Sequence, residues 1–426
     1  MRLVPWRFLV VLLVGVGGVV FSQEKGFEVR SANVLDVRSI GADQIQALIG
    51  NVFMVQPSAT GLVKLWCDSA FRNLRTNVVQ LYGRVKVVRD SITMTSSEGT
   101  YYGDERRAEM SRGVRLVRGG MILTARFGEY WANDKRAHFV GDVLVVDSTS
   151  STRSDALTYF ENDEKSIAVG HVRVDNPENS LTVFGDSLVH FDRARYTVIP
   201  SNPRLMQIDT VADGKIDTLL VSGAFMESFQ DSVQRFITSG LVEMARSDFA
   251  ARCGEALYFH TKDRLILRDH PVVWHGENQV TGDSVSITTR ERKLESVWVS
   301  GRSMAVSRAD TIRRDRFNQL LAREITLRFR DGKIDQIDAE RNATSLYYLF
   351  DGDQPNGVNR SSGDRIVMDF LSGHIDRIKI LGGVEGKYFP EPMIAKRERQ
   401  YNLEGFRWLS DRPQRRLLTI VHESYE

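Results

Sequence analysis

Five stretches of the chain repeat one phrase, a glycine followed within two residues by valine or leucine alternating with polar residues. The copies are GNVFMVQ from Gly50, GRVKVVRD from Gly83, GVRLVRG from Gly113, GDVLVVD from Gly141 and GHVRVDN from Gly170. Gly83, Gly113, Gly141 and Gly170 are separated by 30, 28 and 29 residues, and Gly50 lies 33 residues before Gly83. A period of about thirty marks a supersecondary unit that buries its apolar face only by stacking on its neighbours. That requirement constrains the fold more than any single motif does.

Each unit has a second half: CDSAF (67–71), SEGTYY (97–102), FGEYW (127–131), SDALTYF (154–160) and GDSLVHF (185–191). A small or acidic residue leads to apolar alternation and an aromatic close. The charged turns GDERR, ANDKR, ENDEK and DRAR then follow Tyr102, Trp131, Phe160 and Phe191. Alternation such as Val85 and Val87 against Lys86, or Val172 and Val174 against Arg173, places apolar side chains on one face of a strand. No later segment sustains a 3.6-residue apolar period, so the chain is expected to be all-β. One unit departs: after Gly113 the apolar residues Val114 and Leu116 come one place early. A one-residue slip reverses faces, so a bulge or an altered strand entry must correct it.

The pattern continues less regularly through CGEALYF (253–259), TGDSVSITT (281–289), AREITLRF (322–329) and SSGDRIVMDF (361–370). The organisation read from the sequence is a regular array over 23–205, a looser continuation over 206–390 and a polar tail over 391–426. That tail carries Phe406 and Trp408 and is expected to pack on the last strands or to move. Ahead of the array, Arg2 and Arg7 flank the approach to an apolar run from Phe8 to Phe21 that ends at Ser22. Fourteen apolar residues behind a basic start predict a secretory signal peptide over 1–22. The run is short for a membrane span, which takes about 20 residues.

Lys and Arg total 57 against 55 Asp and Glu, a net charge of +2, which lacks the basic footprint of a nucleic-acid binder. Cys67 and Cys253 lie several units apart and are expected to remain free thiols packed in the interior. The histidines show no zinc-ligand spacing, and His171 and His190 are expected to face solvent. Asp351-Gly352-Asp353 lacks the glutamate that a calcium loop needs at its twelfth position. The pairs Gly185-Asp186, Gly282-Asp283 and Gly363-Asp364 occupy the same place in successive units, as a repeated turn or strand entry would. No catalytic constellation emerges, no metal or cofactor is expected, and the chain does not read as an enzyme.

With its units written out, the chain resembles the LptA/OstA ("organic solvent tolerance") family of lipopolysaccharide transport proteins. The residues that carry the resemblance are LTARFGEYWANDKRAHFVGDVLVVD (123–147), with echoes in 91–119 and 181–196. The resemblance implies a β-jellyroll of two antiparallel sheets folded as an elongated V-shaped trough. It also implies a periplasmic protein, associated with the outer membrane, that shelters lipid A acyl chains. Partners implied are lipopolysaccharide, other jellyroll components joined by edge-strand addition, and further copies of the chain. Candidate groove-lining residues are Val85, Val87, Val114, Leu116, Leu123, Val143, Val145, Val172, Val174 and Leu181. Tyr102, Trp131, Phe160 and Phe191 are expected to plug strand ends. The competing readings are a parallel β-helix acting on polysaccharide, a structural or adhesion array, and a core packed solid with no room for a guest.

Overall fold

The computed structural model describes residues 27–58, 61–210, 216–230, 232–247, 249–290, 293–310, 312–371 and 374–415. The expected signal peptide lies outside them. The chain divides after Ser201 into two compact units. Unit 1 consists of β1 (Glu28–Ser31), β2 (Val34–Ile40), β3 (Asp43–Ser58), β4 (Gly61–Asn73), β5 (Val78–Arg89), β6 (Ile92–Tyr102), β7 (Arg107–Arg118), β8 (Met121–Trp131), β9 (Arg136–Val146), β10 (Ser151–Phe160), β11 (Lys165–Asn176), β12 (Leu181–Phe191) and β13 (Tyr196–Ser201). From β3 to β13 each strand pairs antiparallel with the next, the order that short polar hairpins dictate. This antiparallel meander removes the parallel β-helix.

The repeated glycine sets where each strand folds. Gly83 and Arg84, Arg112 and Gly113, Gly141 and Asp142, and Gly170 and His171 all have positive φ, two consecutive residues each time. At each pair the register shifts, so that two residues of one strand oppose one of its partner: 83 and 84 fall between the pairs Tyr82↔Glu98 and Val85↔Ser96. These bulges begin at 83, 112, 141 and 170, a constant 29 residues apart. The early valine after Gly113 is thereby explained, because in that unit the glycine takes the second bulge position instead of the first. A Cβ on Gly170 would collide with Asp155 Oδ2, so that site excludes side chains sterically as well as by φ.

Bulges in register bend the whole meander along one line, which we call the crease. It divides the strands from β3 to β12 into two halves and the sheet into two arms that fold over a shared core. That core joins Leu81, Met110 and Phe139 of one arm to Met54, Leu65 and Leu123 of the other. The architecture is the expected β-jellyroll, with the two sheets continuous through the bent strands. Outside the crease, Arg84–Asp68, Arg112–Glu98 and Arg126–Asp142 form ion pairs at successive bulges, and His171 Nδ1 is hydrogen-bonded to Asp155 at the fourth. They are exposed and contribute little energy, but they explain the acidic residue after each small one.

Unit 2 is built the same way from β14 (Arg204–Thr210), β15 (Ile216–Ser222), β16 (Phe225–Phe229), β17 (Arg235–Ala245), β18 (Phe249–Phe259), β19 (Arg264–Arg268), β20 (Val272–His275), β21 (Asn278–Thr281), β22 (Ser284–Arg290), β23 (Lys293–Arg308), β24 (Phe317–Arg330), β25 (Lys333–Asp351), β26 (Gln354–Leu371), β27 (His374–Leu381) and β28 (Glu385–Phe389). Its bulges recur at Gly240-Leu241, Asp269-His270, Gly301-Arg302, Arg341-Asn342 and Gly382-Gly383. Only three of the five open on glycine, which is why the phrase fades from the sequence while the geometry persists.

Residues 391–415 form a strap. A four-residue helix, α1 (Glu391–Ile394), leads into mostly irregular backbone that crosses β26, β24, β21 and β20. Buried Gln319 accepts from the Leu403 N–H at 2.8 Å and donates to Asn402 Oδ1. Buried Gln279 accepts from the Leu409 N–H at 2.9 Å and donates to the Arg407 carbonyl at 2.8 Å. Trp274 Nε1 donates to the Leu409 carbonyl at 3.0 Å. Each buried amide thus replaces the ladder that irregular backbone lacks. Trp274, Gln279, Val306, Gln319 and Leu346 are register neighbours, and Val273, Val280, Ala305 and Leu320 alternate with them on the opposite, inward face. The strap therefore covers the outer face of one arm of unit 2. The equivalent outer rung of unit 1 is largely polar between its aromatic ends (Lys86, Thr95, Arg115, Thr124, Leu144, Arg153, Arg173), with Phe53 stacked on Trp66 at one end and Phe184 under Arg173 at the other.

Candidate functional site

The sequence-derived residues fall in unit 1, on the first two of three levels that the register separates, apart from Leu181 at the lip. Val85, Val114, Val143 and Val172 lie at the crease, each paired with a small residue: Ser96, Ala125, Ser154 and Gly185. They are at most 1% exposed. Cys67 and Cys253 occupy the equivalent small-residue slot, opposite Val52 and Val242, as buried, unpaired thiols. Burial pushes both thiols up to about 12.

The second level runs across one arm as a continuous rung: Leu65, Val87, Met94, Leu116, Leu123, Val145, Thr152, Val174 and Val183 are successive register partners. Five candidates fall on it, namely Val87, Leu116, Leu123, Val145 and Val174. Leu123 is buried, whereas Val87, Met94, Leu116 and Val145 are only partly covered. The opposing arm carries Leu48, Ala70, Leu81, Gly99, Met110, Gly128, Phe139, Leu157, Ala168 and Leu188. Large and small side chains alternate there, and the neighbouring Leu81 and Phe139 fill the space above Gly99 and Gly128. Leu181 pairs with Asn176 at a hairpin end, so it stands at the lip of the first arm, away from the interior rung.

The third level was not legible as a site in the sequence. Beyond the opposing rung, Val79, Tyr101, Ala108, Tyr130, Ala137, Tyr159, Ser166 and His190 are successive partners. Three tyrosines recur every 29 residues, each just before an aromatic strand end. Strand alternation turns them inward and Tyr102, Trp131 and Phe160 outward. The outward rings lie under cations of the next strand: Arg107 over Tyr102, Arg136 over Trp131 and Lys165 over Phe160. The aromatic closes are thus hairpin clamps outside the core. His190 shares the inward rung, hydrogen-bonded to Thr197 and paired with Asp192. Strand parity corrects the solvent-facing expectation for it, while His171 is exposed beside Asp155.

Each inward tyrosine meets a polar side chain from the far lip. Gln56 Nε2 donates to Tyr101 Oη at 3.3 Å, Arg89 Nη1 donates to Tyr130 Oη at 2.8 Å, and Arg118 is hydrogen-bonded to Tyr159. Arg89 also pairs with Glu161. Burial raises the hydroxyl pKa of Tyr130 and Tyr159 above the ordinary value, so both stay protonated. The interior of unit 1 is therefore lined by apolar side chains from both arms, with a crease at its back and a row of polar latches across its mouth.

The interior of unit 2 differs. Leu267, Val285, Val299, Ile325, Ala339 and Ile366 are successive register partners and each is 0% exposed. Val273, Val280 and Leu320 on its other arm are buried as well. The loosely covered apolar surface belongs to unit 1. Among the described residues no group of three or more His, Cys, Asp or Glu could hold a metal ion, and no helix is long and apolar enough to cross a membrane.

A family profile described as OstA-like protein matches residues 24–183. A second, described as LptA/(LptD N-terminal domain) LPS transport protein, matches residues 122–293. No curated protein matches the chain. Among solved structures, it is similar to LptH, the LptA homologous periplasmic component of the lipopolysaccharide transport device from Pseudomonas aeruginosa. That alignment has 13% identity and a TM-score of 0.27, covering 33% of this chain and 95% of the other.

Proposed function

We propose, from the premise that the chain belongs to the LptA/OstA-like family through residues 24–293, that it is a periplasmic carrier of lipopolysaccharide whose unit 1 interior shelters acyl chains. The observation that carries the reading is the incomplete cover of Val87, Met94, Leu116 and Val145 on a rung of which only Leu65 and Leu123 are buried. Sheltering an acyl chain there is worth about 0.8 kcal/mol per CH₂ withdrawn from water. Aliphatic walls offer shape and no directed hydrogen bonds, so chain identity is read weakly. The candidate residues divide by role: Val87, Leu116, Leu123, Val145 and Val174 face the guest, Leu181 stands at its entrance, and the four crease valines hold the fold behind it.

The chain also has ends suited to bridging. In β2, Val34, Leu35, Val37 and Ile40 are apolar side chains half or more exposed near the start of unit 1. Such strands invite addition of a strand from another jellyroll, a transport component or a second copy, in a bridge toward the outer membrane.

A photo-crosslinking amino acid at Val145, compared with one at outward-facing Arg173, tests the lipid reading. The expected result, in cells making lipopolysaccharide, is adducts at 145 and none at 173. Equal labelling at both positions, or none at 145, would refute the interior site.

A further inference from the structure

The three mouth contacts share one geometry. Gln56 of β3 reaches Tyr101 of β6, Arg89 of β5 reaches Tyr130 of β8, and Arg118 of β7 reaches Tyr159 of β10. Each spans the mouth to the third strand onward, a repetition that the 29-residue spacing of the tyrosines produces. The rung positions between the tyrosines carry the small side chains of Ala108, Ala137 and Ser166. The latches are made by side chains, so they can part while every backbone ladder stays intact.

We propose that these pairs form a lateral gate for a phosphate-bearing acyl lipid, in which Arg89 and Arg118 exchange their tyrosine partners for the phosphates as the chains pass between the lips. The inference rests on the lipid-carrier reading above. A guanidinium released from a phenol meets a phosphate as a planar, charge-assisted fork, so a stronger hydrogen-bonded pair takes the place of the one that opens. Arg89 and Arg118 are both register partners of Ile92, which places their backbones two strand spacings apart, about 10 Å. That separation suits two anionic groups on one headgroup. Glu161 beside Arg89 disfavours a free anion, so a guest must bring apolar chains as well as charge.

The test follows the loading of two fluorescent acyl lipids, identical except for headgroup phosphates, into the full chain by stopped flow. Tyr130→Phe with Tyr159→Phe keeps the rings and removes the hydroxyls. Both lipids are expected to load about tenfold faster, the factor to which 1.4 kcal/mol corresponds. Arg89→Gln with Arg118→Gln is expected to speed loading of the phosphate-free lipid while weakening the phosphorylated one at least about tenfold. Unchanged rates in both variants, with wild type binding lipid, would overturn the gate alone. Equal affinity for the two lipids in wild type would overturn the headgroup role. Competition by millimolar inorganic phosphate would mark a free-anion site and overturn the lipid assignment. Wild type that takes up neither lipid would remove the carrier reading itself. Urea midpoints close to wild type establish that the variants are folded.

Discussion

The valines of the repeated phrase look alike in sequence but occupy two environments. Val143 lies at the crease with 1% exposure, and Val145, two residues on, lies on the partly covered rung. Val143→Ala is expected to cost about 2 kcal/mol, because a tight crease collapses poorly around two missing methyl groups. Val145→Ala is expected to cost under about 1 kcal/mol while slowing lipid uptake, so urea midpoints and loading assays should rank the two variants in opposite order. Gly170→Ala places a Cβ against Asp155 at positive φ and is expected to cost about 1–2 kcal/mol. The thiols of Cys67 and Cys253, pushed up to about 12, should resist maleimide at pH 7.5 in the native protein and react on unfolding. Period-two alternation made the inward direction of these side chains legible. It did not separate crease from rung, because that distinction depends on how far each residue stands from a bulge whose position the glycine marks only to within one residue.

At the scale of elements, the strap shows what local pattern leaves out. Residues 391–415 have no alternation, since their backbone is satisfied by Gln279, Gln319 and Trp274 from strands more than 80 residues away. The corresponding signal in the sequence is two glutamines inside strands, Gln279 and Gln319, both of which are buried. Acid should release the strap. Arg316 holds the Glu391 carboxyl below its usual pKa through a direct hydrogen bond, and Arg252 does the same for Asp411. Asp217 is disfavoured as an anion by burial, yet hydrogen bonds from Arg246, Ser247 and the Thr218 N–H outweigh that and lower its pKa; Arg415 of the strap lies 2.8 Å from it. Depressed carboxylates stabilise the folded form above their unfolded pKa, and that stabilisation is lost as pH falls through the folded value. The strap is therefore expected to be firm at neutral pH and to loosen below about pH 4, near where free carboxylates titrate. A change in Trp274 and Trp408 fluorescence over that range, shifted to higher pH in Asp411→Asn, is the predicted readout. A signal flat down to pH 3 would show that the carboxylates do not hold it.

At the scale of the whole molecule, the bulges of unit 2 are unevenly spaced, whereas the fold of unit 1 was legible because one spacing governs it. Bulges 29 residues apart crease a meander into two arms, and the hairpin turns and the aromatic closes fall into place around them. The mouth was not legible, since Arg89 and Tyr130 are 41 residues apart in sequence and meet only once the arms fold. The exposed apolar edge of β2 predicts association: replacing Leu35 and Val37 with lysine should lower the apparent mass of any self-associated species in light scattering. The central claim is that acyl chains occupy the interior of unit 1. A crystal structure with a bound phosphorylated acyl lipid tests it most directly. Chain density is expected between the Val87–Leu116–Val145 rung and the Leu81–Met110–Phe139 rung, with Tyr130 and Tyr159 parted from Arg89 and Arg118. Lipid bound outside the arms, with the latches closed and the interior unchanged, would contradict it.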